Sequence, residues 1–231
     1  MNESLNSAGV LVATGKSVAL QAYTWNAHTL LSAVAISGAS QNASTDASGV
    51  GGLVDINEAS LALSASRTVP APEQAATSAA VNVQDAISIL KMVVGLEVNG
   101  PGKPLSPYQA LAADVDGNGS INVSDAIAVL KHVVGLAGPD PTWHFVDELD
   151  LSVLSKATLT PGLPPSITAQ ISGVSPVHVG LVGYLTGDVD GSFQAPGTPQ
   201  DLDVTQPTYF SALVDHHPAL SLTQFGIYDV P

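Results

Sequence analysis

The sequence predicts an α+β fold in which strands from both ends of the chain build one β-sandwich around an inserted helical unit. Two stretches near the middle of the chain, 82–96 and 122–136, repeat each other and have helical spacing. Short strand-like segments precede and follow these repeats. With 231 residues, of which 45% are hydrophobic, the chain is long enough for one large or two small domains with a buried core.

The first 69 residues have the pattern of β-strands. Runs rich in Val, Ala, Leu, Thr and Ser, among them SVALQAYTW, LLSAVAIS and SLALSAS, are separated by clusters of Gly, Asn and Asp. These runs predict the N-terminal strands of the sandwich, in residues 1–69.

The helical unit is predicted for residues 70–139. NVQDAISILKMVVGL and NVSDAIAVLKHVVGL lie 40 residues apart and differ at four of fifteen positions. Each copy has apolar residues at helical spacing, an Asp near its start and a Gly near its end, as a capped helix requires. Between them, Ser106 and Pro107 predict the N-cap and first residue of a short third helix.

Strand-like segments return in residues 140–195, where TWHFVD, PSITAQISG and SPVHVGLVGYL are rich in β-branched residues and punctuated by Pro and Gly. We expect them to complete the sandwich; two separate β-modules are the alternative. Residues 196–231 are predicted to form a tail with a short helix.

One loop carries the clearest chemistry. In DVDGNGSINVSD, residues 114–125, side-chain oxygens fall at positions 1, 3, 5, 9 and 12, a Gly stands at position 6, and position 7 offers its carbonyl. This is the spacing with which an EF-hand loop surrounds Ca²⁺, although position 12 is Asp where Glu is usual. Oxygen donors without sulfur or imidazole favour Ca²⁺ over softer metals. The predicted ligands are Asp114, Asp116, Asn118, Ser120, Asn122 and Asp125.

The loop and its following helix, DVDGNGSINVSDAIAVLKHVVG, resemble a type I dockerin repeat, which has Asp at position 12 and a single exit helix. The resemblance covers residues 74–138 at most and implies two calcium-binding repeats with Val81 and Ile121 joined in a short β-bridge. The first copy departs from this pattern, because Gln74, Ala76 and Ser78 occupy positions 1, 3 and 5. We therefore expect that this copy cannot hold calcium alone.

A second acidic segment, GDVDGSF at 187–193, repeats the opening of the intact loop but lacks its second half. The first helical copy has the second half and lacks the opening. We therefore predict a split calcium site in which Asp188 and Asp190 meet Asn82 and Asp85. A plain Asp-Gly turn, or a local site with Asp201 and Asp203, are the alternatives.

Charge and composition exclude several functions. Twenty acidic residues against six basic ones, a net charge of −14, would repel a phosphate backbone, so we expect no nucleic-acid binding. The chain has no cysteine, which removes disulfides, thiolate catalysis and zinc-cysteine sites. No stretch is apolar enough to predict membrane insertion. No catalytic motif is present, and His216-His217 is interpreted as part of an exposed loop, so we expect a protein that is not an enzyme.

The segment LLSAVAISGASQNASTDASGVGGLVDINEASLALSAS is similar to carboxypeptidase-regulatory-like and other Ig-like β-modules, in which a hairpin at TDASG recurs. The whole arrangement resembles calcium-binding modules of large secreted bacterial surface proteins, adhesins and RTX-type proteins. This resemblance implies a calcium-stabilised, non-catalytic module outside the cell or on the bacterial cell surface, with neighbouring modules or copies of itself as partners.

Two alternatives remain open. One is a dockerin-type interaction module for a cohesin-like receptor. The other is an accessory domain of a carbohydrate-active enzyme, for which Trp25 and Trp143 are the candidate aromatic platform.

Overall fold

The computed structural model describes residues 3–5, 11–13, 16–103, 105–147, 167–171 and 177–194. This part of the chain contains two four-stranded sheets and four α-helices, preceded by a small antiparallel hairpin of β1 (Glu3–Leu5) and β2 (Leu11–Ala13). The fold is therefore mixed α and β, compatible with the α+β class that the sequence predicts.

The first sheet joins the two ends of the chain. Its strand order is β6 (Val50–Ile56), β3 (Lys16–Thr24), β10 (Val177–Leu185) and β8 (Trp143–Asp147). Strand β10 lies in the middle, parallel to β3 and antiparallel to β8. Two strands that precede the helices and two that follow them therefore belong to one sheet, which is joined where β3 pairs with β10.

The second sheet is antiparallel throughout, in the order β5 (Gln41–Ser44), β4 (Ala35–Gly38), β7 (Ser60–Ser66) and β9 (Ile167–Gln170). In β7, Leu61 and Leu63 are buried whereas the alternating residues Ser60, Ala62 and Ser64 are exposed, so this strand buries one face only. Residues 148–166, which are part of the segment predicted to supply C-terminal strands, and the predicted tail in 196–231 lie outside the described residues.

The prediction of a β-hairpin at TDASG is wrong. The segment forms a turn, with the Asp46 amide bonded to the Val50 carbonyl at 2.8 Å. However, β5 before the turn belongs to the second sheet and β6 after it to the first. The turn thus carries the chain from one sheet to the other. Whether the strands on either side of a turn pair with each other depends on tertiary packing, which the local sequence does not reveal.

Four helices lie between β7 and β8: α1 (Gln74–Ala80), α2 (Val83–Val93), α3 (Pro107–Ala113) and α4 (Val123–Val133). The helices predicted for the two repeats are confirmed as α2 and α4. The predicted cap of α3 is confirmed too, since the Ser106 hydroxyl accepts a hydrogen bond from the Tyr108 amide at 3.3 Å.

Helix α1 occupies the stretch aligned with the degenerate loop. Its sequence, QAATSAA, contains no glycine for a sharp turn and has four alanines, which favour a helix strongly. Without ligands to hold a loop, these residues form a helix. No backbone bridge joins Val81 to Ile121 among the described residues, contrary to the expectation. Val81 instead packs beside Gly187 at the end of β10.

One hydrophobic core unites the sheets and the helices. It contains Leu20 of the first sheet, Leu61 of the second, and Ile89 and Val129 of the repeat helices. A smaller cluster includes Tyr23, Tyr184 and Leu111, where α3 packs on the first sheet. The helical unit is therefore part of the main core and is not carried on a free loop. None of the described helices is long and apolar enough to cross a membrane.

Arg67, the single arginine, fixes both ends of the helical unit to the sheets. Its Nε donates to the Ser32 carbonyl at 2.8 Å, and its Nη2 lies 2.8 Å from an oxygen of Glu73, just before α1. Its guanidinium lies over the ring of Trp143, in the strand to which the chain returns after α4. The start and the end of the inserted segment thus meet at one buried side chain.

Two isoleucines on α2 test whether helices and sheets share one cooperative core. Ile89 is 0% exposed and Ile87 is 42% exposed. We expect Ile89→Ala to lower the free energy of unfolding by about 2–5 kcal/mol in urea titrations, because it leaves a cavity, and Ile87→Ala to lower it by much less. Loss of helical signal with the sheets still folded, seen as two transitions, would contradict the shared core.

Candidate metal centre

The contiguous loop gathers three carboxylates between two helices. Asp114 ends α3, and Asp125 is the third residue of α4. One carboxylate oxygen each from Asp114, Asp116 and Asp125 lies within 4.8 Å of the others. The structure thus brings together all three acidic residues predicted as ligands in this loop.

Backbone amides hold these carboxylates in place. Asp114 accepts from the amides of Asn118 and Gly119 at 3.0 and 2.9 Å, and Asp125 accepts from that of Val115 at 2.9 Å. Gly117 and Gly119 have φ values of +67° and +82°, which a glycine adopts without strain. These two glycines allow the backbone to turn sharply, so that the loop can close around its carboxylates.

The amide and carbonyl residues of the loop have additional roles. The Asn122 side-chain oxygen accepts from the Ser124 amide at 2.8 Å, which makes it the N-cap of α4, and its Nδ2 donates to the Ser120 carbonyl at 3.1 Å. The Asn118 side-chain oxygen accepts from the Ser120 amide at 2.9 Å. The predicted ligands that are not acids therefore also shape the loop.

A second cluster consists of residues far apart in the sequence. One carboxylate oxygen each from Asp85, Asp188 and Asp190 lies within 4.8 Å of the others. Asp188 and Asp190 directly follow β10, whereas Asp85 lies in the first turn of α2. The amides of Val189 and Asp190 donate to Asp85 at 2.8 and 3.1 Å. We call this set the split cluster and the set in 114–125 the contiguous cluster.

The split cluster repeats the hydrogen bonds of the contiguous cluster. The amides of Ser192 and Phe193 donate to Asp188 at 2.8 and 3.0 Å; the corresponding bonds to the first Asp of the contiguous loop measure 3.0 and 2.9 Å. The Val189 bond to Asp85, at 2.8 Å, likewise matches a 2.9 Å bond there. Residues 188–193 therefore take the place of 114–119, and residues 80–85 take the place of 120–125.

Asn82, the fourth residue predicted for this cluster, caps α2. Its side-chain oxygen accepts from the Gln84 amide at 2.8 Å, and its Nδ2 donates to the Ala80 carbonyl at 3.0 Å. That carbonyl also accepts from the Ser192 hydroxyl at 3.2 Å. Sequence reasoning missed Ala80, although it stands at position 7 like Ser120 and the same spacing indicated its carbonyl. It also missed Ser192, whose partner comes from a distant segment.

Burial makes the split cluster electrostatically costly. Asp85 is 0% and Asp188 2% exposed. Burial, and to a lesser degree the neighbouring carboxylate of Asp85, raises the pKa of Asp188 to about 7; burial raises the pKa of Asp85 to about 6. In the contiguous cluster, burial also raises the pKa values of Asp114 and Asp125.

No basic side chain relieves this repulsion within the part of the chain that the structure describes, where the one ion pair is Arg67–Glu73. Each cluster thus offers several hard oxygen donors and an uncompensated negative charge. That combination suits a divalent cation of the Ca²⁺ or Mg²⁺ type.

Other candidate residues are placed elsewhere. Trp143 is 4% exposed and packs edge-on against Phe193, while Trp25 stacks on Tyr108 at 6.2 Å. Trp143 therefore offers no surface on which a sugar could stack. His132 lies beside Ser78 at 3.3 Å. His216-His217, Asp201 and Asp203 lie outside the described residues.

Comparison with known proteins yields no relative, since no family model, no curated protein and no solved structure matches the chain. The two carboxylate clusters are thus the strongest indication of function.

The raised pKa values predict an unusual pH dependence for the protein in EDTA. Asp188, with a pKa of about 7, and Asp85, at about 6, exceed the ordinary carboxyl value of 3.8. Between pH 4 and 7 the folded protein therefore binds more protons than the unfolded chain, so the contribution of these groups to stability falls as pH rises.

We measure the free energy of unfolding of Asp188→Asn and of the wild type by urea titration in EDTA. Between pH 5 and pH 7.5, we expect the difference between the two proteins to shift in favour of the variant by about 1 kcal/mol or more. Comparing the two proteins removes the opposing effect of half-buried His144, whose pKa is lowered by burial. Equal pH dependence in both would contradict the electrostatic account of the cluster.

Proposed function

We propose that this chain is a calcium-stabilised, non-catalytic module of an extracellular or bacterial cell-surface protein, with a structural or adhesive role. The proposal is supported by the two carboxylate clusters, which share one hydrogen-bond pattern and stand at the starts of equivalent helices. In this view the two sheets are the layers of an Ig-like β-sandwich, and the helices are an inserted EF-hand pair that resembles a dockerin.

The donor set favours calcium among common cations. Each cluster combines three carboxylates with a nearby main-chain carbonyl, that of Ser120 or Ala80. Ca²⁺ accepts six to eight oxygens in flexible geometry, whereas Mg²⁺ requires a near-ideal octahedron and keeps several waters. Backbone amides hold the carboxylates of each cluster on one side only. The other side is left for water molecules, which can complete the coordination shell of the larger ion.

Calcium would stabilise the fold by linkage. The unfolded chain does not bring Asp85 near Asp188, so an ion bound there contributes RT ln(1 + [Ca]/Kd) to the folded state only. Calcium is abundant outside cells and scarce inside them. The module would therefore become rigid after export.

Burial argues against catalysis by the same carboxylates. A pKa near 7 is typical of a general acid or base, and Asp188 has one. However, its side chain is enclosed by Val189, Phe193 and the start of α2, and no substrate reaches a residue with 2% exposure. A bare ion fits this position; a substrate does not.

Calorimetric titration tests the proposal directly. We expect two calcium ions per chain, with one lost in Asp114→Asn and the other in Asp188→Asn, because each variant removes the first carboxylate of one cluster. Calcium at 100 times Kd should raise stability by about 2.7 kcal/mol per site. Asp140→Asn, an exposed acid outside both clusters, is the matched control. No heat of binding, together with a melting temperature insensitive to EGTA, would refute the proposal.

A second candidate function, a protein-interaction module for a cohesin-like receptor, is favoured by one observation. Of thirteen exposed large hydrophobic residues in the described chain, twelve lie on or just after α2 and α4, at equivalent positions in both repeats. Contiguous apolar surface of this kind marks interaction sites. We call it the apolar helix face; its residues are Val83, Ile87, Leu90, Val93, Val94 and Leu96, with Val123, Ile127, Leu130, Val133, Val134 and Leu136.

Surface plasmon resonance with an immobilised cohesin domain tests this candidate. We expect calcium-dependent binding that the double variant Ile87→Ser/Ile127→Ser weakens at least about tenfold, since it places two hydroxyls in the centre of the face. Val54→Ser alters an even more exposed apolar residue, on β6 and outside this face, and should leave binding unchanged. No binding, or equal loss in both variants, would remove this candidate.

A further inference from the structure

We infer that the split cluster is a calcium-dependent latch that holds the end of β10 on the helical unit, and that its ion leaves far more slowly than the ion of the contiguous cluster. This inference rests on the proposed calcium function and deepens it by assigning the two ions different roles. The contiguous ion organises a local turn, and the split ion closes the whole fold.

The difference begins with chain connectivity. All donors of the contiguous cluster come from residues 114–125, whereas those of the split cluster come from 80–85 and 188–193. Bringing distant segments together costs more conformational entropy than closing a short turn. The split ligand set therefore exists only when the segment that follows β10 already lies against the start of α2.

Burial adds to the difference. Asp188 is buried where its counterpart Asp114 is half-buried, and Asp190 is half-buried where Asp116 is exposed. An ion in the contiguous cluster can leave through the open side of its loop. An ion in the split cluster can leave only after the segment that covers it has moved.

That covering segment, 188–193, is tied to several elements. The Gln109 side chain of α3 donates to the Val189 carbonyl at 3.1 Å, and Asn26, just after β3, donates to the Gly191 carbonyl at 3.2 Å. The Phe193 ring packs against Trp143 of β8 with centroids 5.0 Å apart. Opening the latch must loosen these contacts together, which makes it a sub-global event and not the fraying of one loop.

The latch is connected directly to the first sheet. Asp188 lies three residues after the end of β10, which pairs with β3 on one side and β8 on the other. Holding 188–193 on α2 therefore keeps the middle strand of this sheet in register. The contiguous cluster is connected to this sheet less directly, through α3, whose Ala112 carbonyl accepts from the Gly187 amide at 2.8 Å.

Calcium release from the full chain, followed by stopped flow after mixing with excess Quin-2, tests the inference. We expect two phases of equal amplitude, the slower at least roughly tenfold slower than the faster, since its rate requires sub-global opening. Asp188→Asn should abolish the slow phase and Asp114→Asn the fast one. Tryptophan fluorescence should change with the slow phase, because Trp143 packs on Phe193 and the Trp25 ring approaches Gly191.

A third variant, Ser192→Ala, tests the latch in case Asp188→Asn fails to fold. It removes the hydroxyl bonds to Ala80 and Asp188 while leaving every carboxylate in place. We expect two ions still to bind and the slow phase alone to accelerate. A single common rate, or a slow phase that survives Asp188→Asn, would overturn the latch but leave the calcium function intact. Absence of calcium binding in calorimetry would overturn both.

Discussion

Repulsion between carboxylates that the fold forces together is the constraint on which this structure depends. Two groups of three aspartates are each confined within 4.8 Å, and two members of the split cluster are almost completely buried. Backbone amides offset part of this charge, since each buried carboxylate accepts at least two amide hydrogen bonds. The remaining charge disfavours the folded state unless it is protonated or met by a cation. The residues that form the split cluster also hold the start of α2 against the segment that follows β10.

The helical unit is attached to the sheets at two places by different chemistry. At one place, where its two chain ends meet, buried Arg67 joins Glu73 before α1 to Trp143 after α4. At the other, Asp85 receives the amides that follow β10. Between these attachments, Ile89 and Val129 lie in the same core as the strands. An insertion held by an ion pair, a carboxylate cluster and a shared core behaves as one body with its host.

Sequence predicted those features that local pattern determines. Helical spacing and caps gave α2, α3 and α4, and the complementary halves of one motif indicated that residues near 85 and 188 meet. Pairing of distant strands was not predictable: the position of β10 between β3 and β8, and the turn at TDASG that changes sheets, depend on packing that alternation of polar and apolar residues does not encode. Helix α1 was missed because its residues were aligned with the intact loop at 114–125 and a loop was therefore expected. Its alanines favour a helix when the acidic side chains of that loop are absent.

The split cluster draws its carboxylates from two distant segments, and this has a consequence for how such chains diverge. Asp114 and Asp125 lie in a single stretch that can be duplicated, deleted or replaced as a block. Asp85 and Asp188 belong to separate stretches, yet each needs the other to form the cluster. Homologous chains should therefore show covariation between these two positions across more than a hundred residues. A homologue that lacks β10 and the segment after it should also lack an acidic residue at the position of Asp85 in α2.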